Sequence, residues 1–312
     1  MLHLILSALT PILFVVGLGW LGGITGLMPE KSSLVLARFV IEFALPIGLF
    51  LAAAQANPAE LFRPEFLLAL AAGLVGMFIV GYLASRVLFK HSRPEAALQG
   101  LGCSFPNMAY CGPPVLIAAV GSSGLLAVVT GNLFVTLITV PVTLVMIAPV
   151  GEDGSRAKIG SAFLHTIQQP LVFLPLAGAI VAVLGIPLPK LVIDATDEIG
   201  RSAAGTALFT LGLILSHTPF TLDREVVFNV TMKNIVQPAV ILAVGLAVGL
   251  SGPPLIMAFL TGVLPSATEV PTLSIARKVY TDKAAATTMV STLFAIVSIT
   301  VGMIVSVHLK HR

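Results

Sequence analysis

The amino-acid sequence predicts an all-α transmembrane protein: ten helices in two inverted five-helix repeats, with helices four and nine broken. Three observations predict it. Apolar residues make up 57% of the 312-residue chain and charged residues only 10%, whereas a water-exposed surface needs roughly a quarter charged residues. The apolar runs last ~20 residues or more without alternating, which suits helices and excludes the ~10-residue alternating strands of a membrane barrel. Prolines with polar neighbours also interrupt a span at matching places in the two halves. Backbone groups in lipid need internal partners, so helices remain the only fitting element.

Hydropathy places the spans at residues 2–27, 33–55, 65–89, 95–121, 123–149, 160–184, 189–217, 226–250, 254–279 and 283–308. Span one lacks a basic leader and is too long for a signal-peptide core, so it reads as a retained span. Spans two and three are separated by Asn57-Pro58, and spans three and four by Lys90-His91-Ser92-Arg93-Pro94. A polar stretch from Gly151 to Gly160 separates spans five and six, and Asp223-Arg224-Glu225 precedes span eight. No loop is long enough to fold alone. Basic residues gather in alternate loops: Lys31, Arg86, Lys90, Arg93, Arg156, Lys158, Arg224, Lys233, Arg277, Lys278 and Lys283 on one side. Arg63, Lys190, Lys310 and Arg312 lie on the other. The positive-inside rule puts the first set in the cytoplasm and both termini outside. The expected location is a bacterial cytoplasmic (inner) membrane.

The net charge of +3 follows from this loop bias. There is no basic block or aromatic stacking stripe, so no nucleic-acid partner is expected. Cys103 and Cys111 share one apolar span and read as small fillers. The histidines lack metal-ligand spacing; His165 and His217 are the two to consider for proton handling. No metal or cofactor is expected. No zincin, nucleophile-elbow or paired-aspartate pattern points to an intramembrane enzyme.

An odd number of spans per half means that 1–150 and 151–312 insert in opposite senses. Local matches recur in order. Thr10-Pro11-Ile12-Leu13-Phe14 in span one parallels Gln169-Pro170-Leu171-Val172-Phe173 in span six. Arg38 and Glu42 in span two parallel Asp197 and Arg201 in span seven, with the signs exchanged. Each pair is one helical turn apart and is expected to neutralise itself, either bracing a scaffold or lining a path. Otherwise a mid-bilayer charge costs ~2.5–3.5 kcal/mol on insertion scales.

Span four contains Phe105-Pro106-Asn107-Met108-Ala109-Tyr110-Cys111-Gly112-Pro113-Pro114, and span nine contains Pro265-Ser266-Ala267-Thr268-Glu269-Val270-Pro271-Thr272. In span four two adjacent prolines remove donors and clash with earlier carbonyls, and in span nine two prolines flank small and polar residues, so neither helix is expected to run through. Half-helices restarting at Pro114 and Pro271 would point free N–H groups at the midplane and form an anion site without a buried cation. Ser266, Thr268, Thr272, Tyr110 and Asn132 are cavity-lining hydrogen-bonders, or partners for the freed backbone. Glu269 has no partner at helical spacing within its segment. It reads as a proton-coupling carboxylate, an exposed helix cap, or a partner of Arg277 or Lys278.

Pro106-Asn107-x4-Gly112-x-Pro114 resembles the broken-helix motif of the auxin efflux carrier family, as does Pro265 to Pro271 followed by Ala276-Arg277-x2-Tyr280. That family includes bacterial organic-acid carriers and plant PIN auxin exporters. The likeness covers essentially the whole chain, and the short central loop resembles the bacterial type. It implies that helices four and nine cross at Pro113-Pro114 and Pro271, and that Asn107 contacts a substrate carboxylate. It also implies a scaffold of spans one, two, six and seven, a moving domain of the other six, and a homodimer. The implied function is transport of small mono- or dicarboxylates such as malonate or malate by elevator-type alternating access. The alternatives are an ion-coupled symporter or exchanger of another solute, linked to Na⁺ or H⁺, and a membrane sensor that moves nothing.

Overall fold

The computed structural model describes residues 2–29, 31–57, 63–148, 167–217 and 221–309. His165, Arg156, Lys158, the 151–160 loop, the junction of the two halves, Lys310 and Arg312 lie outside them. The described helices are α1 (Leu2–Ile24), α2 (Lys31–Ala54), α3 (Pro64–Leu88), α4 (Arg93–Ser104), α5 (Gly112–Val120) and α6 (Ser122–Ile147). They continue with α7 (Pro170–Val183), α8 (Lys190–His217), α9 (Arg224–Ala247), α10 (Gly252–Val263), α11 (Glu269–Arg277) and α12 (Thr281–Leu309). Helices α2, α3, α6, α8, α9 and α12 are each long and apolar enough to cross a membrane.

Four of these helices widen for one turn: Val40–Ala44 in α2, Ala72–Gly76 in α3, Val135–Thr139 in α6 and Met232–Val236 in α9. In α2, α6 and α9 a proline follows two residues later, at Pro46, Pro141 and Pro238. A proline ring collides with the carbonyl one turn earlier, and a wide turn moves that carbonyl aside without ending the helix. Polar side chains start the helices near the membrane edge. Ser92 and Glu95 form a reciprocal capping box on α4, and Asp223 accepts the Glu225 and Val226 N–H groups of α9 at 3.0 Å each.

The helices pack in two groups. One comprises α1, α2, α7 and α8; the other comprises α3 to α6 and α9 to α12. In the first group small residues let backbones meet, as is common where lipid offers no hydrophobic drive. A Cβ on Gly212 of α8 would lie 2.1 Å from the Val16 carbonyl oxygen of α1, and one on Gly200 would lie 2.9 Å from Gly48 Cα of α2. The second group contains the broken helices and most of the buried polar residues.

Three sequence expectations change. Lys233 is not a loop residue; it lies inside α9, fully buried, in the wide turn. Arg38 and Glu42 are both exposed and form no ion pair with each other. Glu42 lies inside the wide turn that begins at Val40, so a four-residue spacing no longer stacks the two side chains. The half-helices restart earlier than expected, at Gly112 and Glu269, with the prolines inside their first turns. There a missing N–H removes no intrahelical bond.

Candidate functional site

Helices α4 and α10 are each 12 residues long and end on extended backbone at Phe105 and Leu264. The extended pieces pair as a short antiparallel bridge between Pro106 and Ser266. The Asn107 N–H donates to the Pro265 carbonyl at 2.8 Å, and the Ala267 N–H to the Phe105 carbonyl at 3.0 Å. Each break thereby satisfies backbone groups that the other would strand inside the membrane. Beyond the bridge the chain resumes as α5 and α11, nine residues each.

Helix α9 closes the carbonyl ends of both broken helices. The Lys233 ammonium donates to the carbonyls of Gly262, at 3.0 Å, and Leu264, at 2.5 Å, at the end of α10. The Gln237 amide donates to Ser104 at the end of α4, at 2.6 Å, and to Gly73 of α3, at 2.8 Å. Asn234 extends this polar seam: its carbonyl accepts from the Ser291 hydroxyl at 2.6 Å, and that hydroxyl accepts the Ser266 N–H at 2.8 Å. The sequence predicts α9 as a span but not its role at the breaks, although Asn229, Lys233, Asn234 and Gln237 in one apolar span are the signal.

The opposite ends of the break differ from expectation. Helix α5 offers no row of free N–H groups: Gly112 N donates to the Asn107 carbonyl, Pro113 and Pro114 have none, and Val115 N donates to Cys111. In α11, Val270 N donates to Ala267, Pro271 has no N–H, and Thr272 N donates to Thr268. The prolines that break the spans also remove the donors. One donor at the break that has no partner is a side chain. Asn107 is fully buried; its Oδ1 accepts the Tyr110 N–H at 3.0 Å, while its Nδ2 has no partner.

Two cavities lie at opposite ends of the antiparallel α2–α8 pair. The larger, about 760 Å³, is bounded by the first half of α2, the last turns of α8 and α11. Tyr110, Thr268, Glu269, Pro271 and Thr272 line it, with Arg38, Glu42 and His217 facing them. The smaller, about 640 Å³, is bounded by the end of α2, the start of α8 and α5. Pro113, Asp197 and Arg201 line it. Asn107, Gly112, Pro114 and Ser266 line neither cavity; Asn107 and Ser266 are fully buried in the crossing.

The charges divide between the cavities. Asp197 and Arg201 touch as an ion pair in the smaller one. In the larger, Arg38 and Glu42 stand apart, and Glu269 makes no ion pair with Arg277 or Lys278. Its carboxylate accepts from the Thr268 hydroxyl at 3.4 Å. The remaining hydroxyls serve the fold: Ser266 Oγ donates to Gly102, and Thr272 Oγ1 donates to Thr268. Asn132 is occupied with the Leu171 carbonyl at 3.1 Å. A further network, not foreseen in the sequence, links α4, α9 and α12. Glu225 accepts from Tyr280 at 2.6 Å and meets His91 at 2.8 Å, while Asn229 joins Tyr280, Thr287 and Gln99.

The sequence profile of the family described as "Membrane transport protein" matches residues 4–303. "Uncharacterized transporter YfdV" of Escherichia coli (strain K12) is 29% identical over 98% of this chain and 99% of its own length. "Putative malonate transporter" of Rhizobium meliloti (strain 1021) is 26% identical over 91% of each chain. "Lysosomal cholesterol signaling protein" of Mus musculus is 26% identical over 63% of this chain but only 24% of its own. With nearly its whole length matched and its long helices apolar enough to span a bilayer, the chain belongs to the membrane transport protein family, the auxin efflux carrier type of membrane transporter.

Proposed function

We propose that this transporter carries small mono- or dicarboxylates, of the size of malonate or malate, through the crossing of the two breaks. One observation carries the reading: the buried Asn107 Nδ2 has no partner and sits in the break between two cavities at opposite ends of one helix pair. An unpaired buried amide donor is costly unless a ligand completes it, and a carboxylate oxygen is an acceptor of the right kind. The malonate in a relative's name is consistent with this substrate class.

The two halves act as inverted repeats. Supporting this, α4 and α10 have equal lengths, as do α5 and α11, and the α3 and α9 wide turns follow equal eight-residue starts. The α1, α2, α7, α8 group is the scaffold of a homodimer. The other group moves against it in an elevator cycle that exposes the crossing to each cavity in turn. By loop charge the larger cavity faces the cytoplasm, in a bacterial inner membrane. Arg38 attracts the anion there, and Glu269, the acid nearest the crossing that lacks an ionic partner, favours proton over sodium coupling. A non-transporting sensor is the competing reading. Thermal-shift screening of the purified protein against small carboxylates, then liposome uptake of each hit, separates the two: a carrier accumulates the hit, and binding without uptake rejects transport.

A further inference from the structure

The carbonyl end of a half-helix inside a membrane carries partial negative charge and needs a positive partner. In transporters with broken helices, unwound carbonyls and half-helix C-termini commonly coordinate the coupling cation. Here that position is taken by a side chain. The Lys233 ammonium is fully buried and touches the carbonyl oxygens of Gly262 and Leu264, at the point where α10 unwinds. Among the described residues it makes no ion pair with a carboxylate, so its charge is met by backbone oxygen. A buried charge without an ionic partner is retained only where dipoles compensate it.

The surroundings fix it in place. The wide turn Met232–Val236 swings Lys233 toward α10 while Gln237, four residues later, reaches α4 instead. The second carbonyl end is thus closed by a neutral amide, and among the described residues the only cation on the seam is Lys233. The break is also locked from the α12 side, where Ser298 Oγ donates to the Val263 carbonyl at 3.2 Å.

We propose that the Lys233 ammonium replaces a bound monovalent cation at the unwound end of α10, so this carrier needs no sodium there. The corollary is that Lys233→Ala opens a small-cation site between the Gly262 and Leu264 carbonyls. The inference rests on the transporter reading only where uptake is measured, because melting needs no substrate.

The test compares full-length wild type, Lys233→Ala and Lys233→Met in detergent, in sodium, potassium or choline chloride at equal ionic strength. Wild type should melt at the same temperature in all three salts. Lys233→Ala should melt lower in choline and recover at least half of its loss in sodium, whereas Lys233→Met, which fills the space with apolar atoms, should not recover. Sodium-dependent melting of wild type, or an equal loss for Lys233→Ala in all three salts, overturns the proposal. If neither variant can be purified, wild-type melting in the three salts decides. No carboxylate uptake by wild type, with these melting results intact, would reject the carrier reading and leave this one standing.

Discussion

The Asn107 N–H donates to the Pro265 carbonyl at 2.8 Å, so the backbone of one broken helix is completed by the backbone of the other. The coupling is mutual, since Ala267 returns a bond to Phe105 at 3.0 Å. It frees the Asn107 side chain from structural duty on its Nδ2 side. Asn107→Asp should therefore fold but repel a carboxylate, lowering affinity for small carboxylates at least tenfold by isothermal titration. Unchanged affinity would remove Asn107 from the site.

Arg38 is exposed, unpaired with Glu42 and on the wall of the larger cavity. Arg38→Gln should leave the melting temperature nearly unchanged, because no pair is broken, and surface changes of this kind usually stay within about 0.5 kcal/mol. Its KM for anion uptake from the cytoplasmic side should rise severalfold. A loss of stability with an unchanged KM would return Arg38 to a bracing role.

Glu269 faces the same cavity without an ionic partner. Glu269→Gln should flatten the pH dependence of uptake, measured with inside and outside pH varied separately. A wild-type profile in the variant would rule out this carboxylate as the proton site.

The packing of α8 against α1 and α2 leaves no room at Gly212 or Gly200, where an added Cβ would meet backbone of α1 or α2. Gly212→Val should destabilise the protein by about 1–3 kcal/mol or more, read as a fall in detergent melting temperature. At Gly205, where nothing lies within 4 Å, Gly205→Ala should be neutral or slightly stabilising.

Outside the membrane, the Lys283 ammonium and then the Val226 N–H hold the Asp223 carboxyl below its ordinary range. An acid depressed in the folded state contributes stability above its unfolded pKa of ~3.9, and that contribution fades as pH falls through the folded value. The pair is well exposed, so the effect is small. Asp223→Ala should cost about 1 kcal/mol through the lost cap and weaken the acid dependence of melting below about pH 4. An identical acid limb in the variant would show that the cap does not titrate with folding.

Hydropathy was a good guide to the helices: the windows 65–89 and 226–250 lie within a few residues of Pro64–Leu88 and Arg224–Ala247. Near the prolines of spans four and nine, helices end at Ser104 and Val263 and begin again at Gly112 and Glu269, where a proline ring cannot continue the preceding helix. The wide turns were not legible, since one extra residue per turn leaves no mark on a 20-residue average. That is why the Arg38–Glu42 pairing fails; Lys233 groups with the loop residues by its charge, although it lies inside the 226–250 window. The free N–H groups failed for a different reason. The dipole of a helix start favours an anion, but Pro113, Pro114 and Pro271 have no hydrogen to donate.

The central claim is that a carboxylate crosses at the joined breaks. Uptake of labelled malonate into liposomes by wild type and Asn107→Ala, matched for melting temperature, tests it most directly. Saturable uptake by wild type, reduced at least tenfold in the variant, is the predicted result. Equal uptake by the two proteins, or no carboxylate uptake by wild type, would contradict it.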